Sequence, residues 1–162
     1  DAKGPSYTRA WRALPKNAGL EMVAVDSAGT LFTIPEGVAP GAYEALVYRR
    51  KPNQKWEQPF TLPLEEPFVP VGGDFGPDGR LYLLERDLYP FAFRSRVRAM
   101  EVTETGIEQI ETVLETPLGR HGNLEGLAVW ADEDNNTRLT MISDDNFLAL
   151  LRSEIVEYII RE

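Results

Sequence analysis

Short apolar segments separated by turn residues follow one another along the first third of the chain. Residues 20–26 and 30–34 are largely apolar, and residues 43–49 alternate large and polar side chains. A period of two is typical of strands with one buried face, and the glycines and prolines between the segments are typical of turns. Together with residues 55–64, the pattern predicts four strands within residues 17–66.

The same order of strands and turns begins again at residue 70. The turn at residues 76–79 contains both proline and glycine, which favours a tight reversal. Residues 107–114 also contain residues that favour helix, but we predict a strand there. The predicted elements of this unit are strands at residues 70–75, 80–86, 94–103 and 107–114, with an irregular aromatic loop over residues 87–93.

A predicted hairpin opens a third unit. Residues 122–130 and 138–147 are two apolar runs with polar ends, and a turn rich in Asp and Asn joins them. Residues 153–161 are predicted to form the third strand, although residues 148–160 also contain residues that favour helix. At the other end of the chain, residues 7–12 are predicted to form an additional strand.

The turns and the strands after them recur with a period of about 50 residues. Gly29 and Gly79 lie in equivalent turns, and Leu31, Leu81 and Leu139 follow in equivalent strands. About four strands in each unit of this length indicate a β-propeller blade. We therefore predict an all-β protein with four-stranded propeller blades. The three blade-like units form a single partial domain and span residues 17–66, 70–118 and 119–162.

Three blades are fewer than a closed propeller contains. Propellers close with about 4–8 blades, and an open arc would leave apolar sheet faces bare at both ends. We therefore expect the chain to be the C-terminal half of a larger propeller. Its expected partner is the N-terminal half of the same propeller, either cleaved and still bound or supplied by another chain. Self-association of two such halves is the alternative.

Composition excludes several classes of function. The net charge of −9 argues against a surface for nucleic acid and is compatible with cation binding. The chain has no cysteine, which excludes disulfides, thiol nucleophiles and zinc–thiolate sites. No apolar run approaches the roughly 20 residues that a membrane-spanning helix needs.

Two glutamates occupy matching places in the repeat. Glu21 and Glu125 each stand at the start of a predicted innermost strand, so both carboxylates are expected at one mouth of the central channel. Carboxylate and amide oxygens are ligands that calcium prefers, and the sequence predicts a calcium or substrate site there. The alternative is that the glutamates accept backbone hydrogen bonds between blades. The additional expected ligands are Asn17, Asn123, Asp144, Asp145 and Asn146.

A second candidate site lies beside the hairpin. His121 is the only histidine, and Arg120 precedes it. Histidine serves as a general base at neutral pH and arginine binds phosphate or carboxylate, so both are candidate catalytic residues. Ser143 and Asp144 would complete a hydrolase trio with His121, but neighbouring residues of a strand point to opposite faces. A polar loop without catalysis is the alternative.

Arginines form a third candidate site in this acidic chain. Arg94, Arg96 and Arg98 alternate and are expected to share one strand face, and Arg86 ends the preceding strand. Such a face could bind an anionic ligand, with Arg86 as a ligand-binding residue. The alternative is a solvated face whose arginines pair with nearby glutamates.

Four motifs in order resemble the bacterial "esterase-like activity of phytase" family, over its C-terminal half. They are NAGLE at residues 17–21, DGRLYLLER at 78–86, NLEGLAV at 123–129 and ISDDNF at 142–147. The resemblance implies a propeller of about six blades that is exported to the periplasm or secreted. It also implies phytase-like or esterase-like hydrolysis of phosphoesters or carboxylic esters.

Two functions from different classes follow. The first is a hydrolase with a cation in the central channel, as the family resemblance and the paired glutamates suggest. The second is a non-catalytic propeller that serves as a ligand-binding or envelope scaffold. The second agrees with the lack of any complete nucleophile–base set, and the sequence has no Gly-x-Ser-x-Gly motif.

Overall fold

The described residues of the computed structural model form eleven β-strands in three antiparallel sheets. The structure describes residues 11, 19–35, 43–90, 92–145 and 153–161. Sheet 1 contains β1 (Leu20–Val25), β2 (Leu31–Pro35), β3 (Glu44–Arg50) and β4 (Glu57–Pro63). Sheet 2 contains β5 (Val69–Phe75), β6 (Leu81–Tyr89), β7 (Ala92–Val102) and β8 (Ile107–Glu115). Sheet 3 contains β9 (Asn123–Ala131), β10 (Thr137–Asp144) and β11 (Ile155–Ile160).

The strand order in each sheet follows the order of the chain. Within each sheet, strands that follow one another in the chain are neighbours. The segments with helix-favouring residues are strands where the structure describes them, as β8 and β11. The prediction of an all-β protein built from repeated sheets is therefore confirmed. The strand predicted at residues 7–12 lies outside the described residues apart from Trp11.

The first strands of the three sheets lie side by side. β5 contacts β1 on one side and β9 on the other, so the three sheets radiate from this row of strands. The approach of β5 to β9 is close at Gly72, where an added Cβ would lie 2.5 Å from the backbone oxygen of Glu125. Asp74 Oδ2 accepts a hydrogen bond of 2.9 Å from the backbone N–H of Val129 and joins the same two strands.

Sheet 2 is packed on both faces. Its strand β6 has apolar residues that do not alternate with polar ones, so both faces of the strand can be buried. Leu81 and Leu83 belong to the core shared with sheet 1, whereas Tyr82 and Leu84 belong to the core shared with sheet 3. A strand buried on both faces is apolar along its length. The two cores fix the three sheets relative to one another.

Each of the three innermost strands contains a register irregularity near its start. The pairing skips one residue in β1, β5 and β9, and the skipped residues are Glu21, Val71 and Glu125. β-bulges redirect side chains and are frequent near functional sites. The structure therefore gives Glu21 and Glu125 equivalent backbone positions, as the repeat predicted.

The irregular loop predicted over residues 87–93 is wrong. β6 continues to Tyr89 and β7 begins at Ala92, which pairs with it, so the segment is a hairpin that extends beyond the rest of sheet 2. Asp87 is buried, and Arg94 on the opposite strand donates to its Oδ2 at 2.8 Å. This cross-strand ion pair stabilises strand structure where the sequence has no apolar alternation.

The turn of the third-sheet hairpin is built around one carboxylate. Asp132 accepts hydrogen bonds from Arg138 Nε at 2.7 Å and from the backbone N–H groups of Asp134 and Asn136. The Arg138 hydrogen bond is the largest cause that lowers the pKa of Asp132, to about 2. The predicted polar turn between β9 and β10 is confirmed.

The outer faces of sheets 1 and 3 carry exposed apolar side chains. Val23 and Val25 alternate along β1 with residues of the core, and Ile142 and Ile155 are cross-strand partners on sheet 3. Their exposed fractions are 63%, 49%, 51% and 70%. Contiguous exposed apolar residues mark surfaces that pack against something else. No helix in the described part of the chain is long and apolar enough to span a membrane.

Candidate functional site

Most predicted site residues lie at one end of the sheets. We call this end, at which β1, β5 and β9 begin, the mouth. Arg86 pairs with Val69 at the start of β5, and Asp144 pairs with Asn123 at the start of β9. Strand pairing therefore brings residues from separate motifs to the same edge of the molecule.

Three of the predicted residues form a hydrogen-bonded cluster at the mouth. Arg86 Nη1 donates to Asn123 Oδ1 at 2.5 Å and to Glu125 Oε1 at 2.9 Å, and Asn123 Nδ2 donates to Glu125 Oε1 at 2.6 Å. The Asn123 side chain is fully buried, whereas the Glu125 side chain is 39% exposed. We call these residues the mouth cluster. Its carboxylate is accessible to solvent, whereas the positioned Arg86 side chain is only 15% exposed.

The described residues do not by themselves fit a calcium ion. Calcium takes 6–8 oxygen ligands, and Glu125 Oε1 already accepts two hydrogen bonds. Asp145 Oδ2 accepts from Ser153. In the part of the chain that the structure describes, no three His, Cys, Asp or Glu side chains are grouped to hold a metal. The predicted ligands Asn17 and Asn146 and the side chain of Glu21 lie outside it.

His121 contacts a tyrosine and a glutamate. Its Nε2 lies 2.6 Å from the Tyr158 hydroxyl, and its Nδ1 lies 3.4 Å from Glu154 Oε1. Glu154 Oε1 also accepts from the backbone N–H of Gly122 at 2.9 Å, which fixes the carboxylate beside the ring. The Glu154 contact is an ion-pair distance, since His121 Nδ1 has no hydrogen-bond partner among the described residues. The imidazole and the hydroxyl are the pair that can activate a water for attack, with the carboxylate close to the ring.

The trio of Ser143, His121 and Asp144 is not formed. The Ser143 hydroxyl accepts a hydrogen bond from the backbone N–H of Glu154 at 2.9 Å, and His121 contacts Tyr158 instead. Ser143 is buried while the neighbouring Asp144 is exposed, because successive residues of β10 point to opposite faces. Arg120 is exposed next to His121.

The alternating arginines of β7 pair with carboxylates, but two of them are buried. Arg96 and Arg98 both donate to Glu85, and Arg94 donates to Asp87. The prediction that this face is solvated is therefore wrong for Arg96 and Arg98, because both are buried between sheets 1 and 2. Their burial depends on a carboxylate on the neighbouring strand of the same sheet.

Sequence reasoning did not identify three side chains of these clusters. Tyr158 lies 37 residues after His121, and Glu154 lies 32 residues after Gly122. Glu65 lies 31 residues before Arg96. Such partners are brought together only by the packing of whole sheets. The available signal was the alternation in residues 155–160, which predicts that Tyr158 faces the core side with Val156.

The chain is similar to one protein family and, weakly, to a solved structure. A family model described as "Phytase-like: Esterase-like activity of phytase" matches residues 2–147. The crystal structure of a protein of unknown function from Bacteroides caccae is similar over 88% of this chain and 62% of its own, with 10% identity and a TM-score of 0.37. This chain thus spans less than two thirds of that structure. Among curated proteins, no sequence matches this chain.

Proposed function

The chain belongs to the phytase-like family described by esterase-like activity of phytase, and from this membership we propose that it is part of a hydrolase of phosphoesters or carboxylic esters. The family fold is a β-propeller, and the three sheets are consistent with its blades. The observation that carries the proposal is the contact of His121 with both Tyr158 and Glu154. His121 lies two residues before Asn123 of the mouth cluster in the chain.

In this proposal the mouth cluster binds the anionic part of the substrate. Arg86 offers a guanidinium, whose fork geometry suits phosphate and carboxylate oxygens. Asn123 holds that guanidinium from a fully buried position. Glu125 shares the same arginine, so an arriving substrate competes with an accessible carboxylate for it. Arg120, exposed beside His121, is proposed to assist in holding the anionic group.

His121 is proposed as the general acid–base residue. The Cα atoms of His121 and Asn123 lie within about 7.6 Å, because two peptide units separate them. The Tyr158 hydroxyl gives its proton to His121 Nε2 as it takes one from the attacking water, so the net transfer is from water to imidazole. The oxygen of water bonds to phosphorus or to the acyl carbon, the ester bond breaks, and the leaving alkoxide takes the proton from His121. Glu154 keeps the ring oriented throughout.

The test is turnover of 4-nitrophenyl phosphate and 4-nitrophenyl acetate by the full-length protein, with and without calcium. We expect His121→Gln and Tyr158→Phe to lower kcat by about 10²–10⁴-fold, the contribution of a positioned proton-transfer group, and Arg86→Lys to raise KM. Tyr43→Phe is the matched control, because Tyr43 is 79% exposed. Wild-type protein that turns over neither substrate under either condition contradicts the proposal, and so does His121→Gln with unchanged kcat.

The second candidate is a non-catalytic scaffold that binds an anionic ligand at the mouth. The mouth cluster favours this candidate, because its hydrogen bonds position a guanidinium that can bind an anion without any contribution from His121. Binding of a phosphate monoester that Arg86→Lys weakens, together with no turnover by wild-type protein, would support the scaffold over the hydrolase.

We also propose the assembly and location that the resemblance implies. The exposed apolar faces of sheets 1 and 3 support packing against further blades, with the N-terminal half of the propeller as the partner and about six blades in total. Export to the periplasm or outside the cell is proposed on the family resemblance. We propose that calcium binds at the mouth only if the side chains of Glu21 and Asn146 complete the site. No reaction step depends on the ion.

A further inference from the structure

Three charged side chains are buried together between sheets 1 and 2. Glu85 and Arg98 are 0% and 1% exposed in their side chains, and Arg96 is 6% exposed. Glu85 Oε2 accepts from Arg96 Nε at 2.9 Å and from Arg98 Nε at 2.8 Å, and its Oε1 accepts from Arg98 Nη2 at 2.6 Å. Two buried cations with one buried anion leave an excess positive charge, which is costly in the interior of a protein.

Glu65 supplies the balancing charge from the surface. It lies on the connection between β4 and β5 with its side chain 60% exposed. One carboxylate oxygen accepts from Arg96 Nη1 at 2.7 Å, and the other lies 3.7 Å from Arg98 Nη1. The counter-charge is therefore an exposed side chain at the surface side of the buried cluster.

The two arginines retain unused donors. Arg96 Nη2 and Arg98 Nη1 are buried and have no hydrogen-bond partner among the described residues. A buried donor without an acceptor costs free energy. A carboxylate has two oxygens, and Glu65 already uses one of them on Arg96 Nη1. A tetrahedral oxyanion offers three or more oxygens and can accept from both guanidinium groups at once.

The positions of both guanidinium groups are fixed before any ligand binds. Arg96 lies 4.1 Å from the centroid of the buried Phe68 ring, and Arg98 Nη2 donates to the Pro63 carbonyl at 3.0 Å. Arg94, on the same face, is neutralised by Asp87 and Glu115. Donors held in place bind a ligand with little loss of side-chain entropy.

We propose that Arg96 and Arg98 form a phosphate-binding site between sheets 1 and 2, which the Glu65 carboxylate fills when no phosphate is bound. The ligand class is inorganic phosphate or the phosphate group of a monoester. The site is separate from the proposed hydrolytic function, because Asn123 and Tyr158 belong to the interface of sheets 2 and 3. It therefore stands or falls independently of catalysis at His121.

The experiment is calorimetric titration of the full-length protein with inorganic phosphate, at an ionic strength held constant with chloride. We expect Glu65→Ala to bind phosphate about tenfold more tightly than wild type, because the competing carboxylate is gone. Glu66→Ala is the matched control, since Glu66 is an exposed neighbouring glutamate. Arg86→Lys is added to all three proteins to weaken phosphate binding at the mouth cluster, and equal affinity of Glu65→Ala, Glu66→Ala and wild type in that background overturns the proposal. A parallel titration with glycerol 2-phosphate shows whether the site prefers the free ion or a monoester.

A second measurement applies if Glu65→Ala is unstable. Phosphate should then raise the melting temperature of Glu65→Ala more than it raises that of Glu66→Ala, and chloride at the same ionic strength should not. A crystal structure of Glu65→Ala grown with phosphate should show the ion bridging Arg96 and Arg98. Phosphate bound elsewhere, or no selective stabilisation, contradicts the proposal.

Discussion

Glu85 is the residue on which the buried charges between sheets 1 and 2 depend. It accepts hydrogen bonds from both Arg96 and Arg98, and its side chain is fully buried. Removing one partner of a buried ion pair is more damaging than never having the pair, because the remaining charge cannot be solvated. Here one substitution would leave two arginines without their shared acceptor.

We predict that Glu85→Gln lowers the free energy of unfolding by about 3–5 kcal/mol. The neutral amide keeps the shape of the side chain but removes the charge that balances Arg96 and Arg98. Urea denaturation followed by circular dichroism measures the change. Glu108→Gln, at an exposed position of β8, is the control and should stay within about 0.5 kcal/mol of wild type. Equal midpoints for the two variants would show that the buried cluster contributes nothing to stability.

The sequence could identify these arginines but not their environment. Alternation of Arg94, Arg96 and Arg98 correctly predicts one shared face, because the period of two is a property of the strand itself. Whether that face is solvated depends on Glu65 and Phe68, which reach it from another part of the chain. Isolated arginines are almost always exposed, so burial was not the expected outcome.

At the scale of elements, Gly72 controls how closely β5 approaches β9. An added Cβ would lie 2.5 Å from the backbone oxygen of Glu125, and a backbone atom in a strand cannot move aside as a flexible side chain can. Because Glu125 belongs to the mouth cluster, separation of the two strands would also move its carboxylate relative to Arg86.

We predict that Gly72→Ala destabilises the protein by about 1–3 kcal/mol, the usual cost of an overpacked interior, and weakens ligand binding at the mouth. Gly106→Ala is the matched control, because nothing lies within 4 Å of its added Cβ. Thermal unfolding measures the first effect, and titration with a phosphate monoester measures the second. If Gly72→Ala and Gly106→Ala have the same melting temperature, the close approach of β5 and β9 does not constrain the residue at position 72.

The limits of strands were predictable where apolar residues alternate or turn residues interrupt them. Gly79 and the Asp- and Asn-rich turn before Thr137 end strands as expected. The extended hairpin of β6 and β7 was not predicted, since the ion pair of Asp87 and Arg94 stabilises it. The bulge at Glu125 was also not predicted, because register depends on pairing with β10.

At the level of the assembled sheets, the described residues leave exposed apolar side chains on the outer faces of sheets 1 and 3. Sheet 2 shows what a blade requires, since both of its faces are covered by neighbouring sheets. Ile142 and Ile155 pair across β10 and β11 on the outer face of sheet 3, and both are more than half exposed. Repetition of the same packing would cover this face with another blade, which is the basis of the proposed partner.

We predict that the native protein is larger than this chain, and that Ile142→Ser with Ile155→Ser releases the companion blades or lowers the melting temperature of the assembly. Each isoleucine would contribute about 1.5–3 kcal/mol if fully buried on assembly. Leu118→Ser is the matched control, because Leu118 is 50% exposed but lies on the connection between β8 and β9 rather than on an outer face. Native mass spectrometry gives the mass of the intact species, and calorimetry gives its melting temperature. A double variant with the same mass and melting temperature as Leu118→Ser would mean that solvent covers this face, because exposed apolar groups contribute little to stability when replaced by a polar residue.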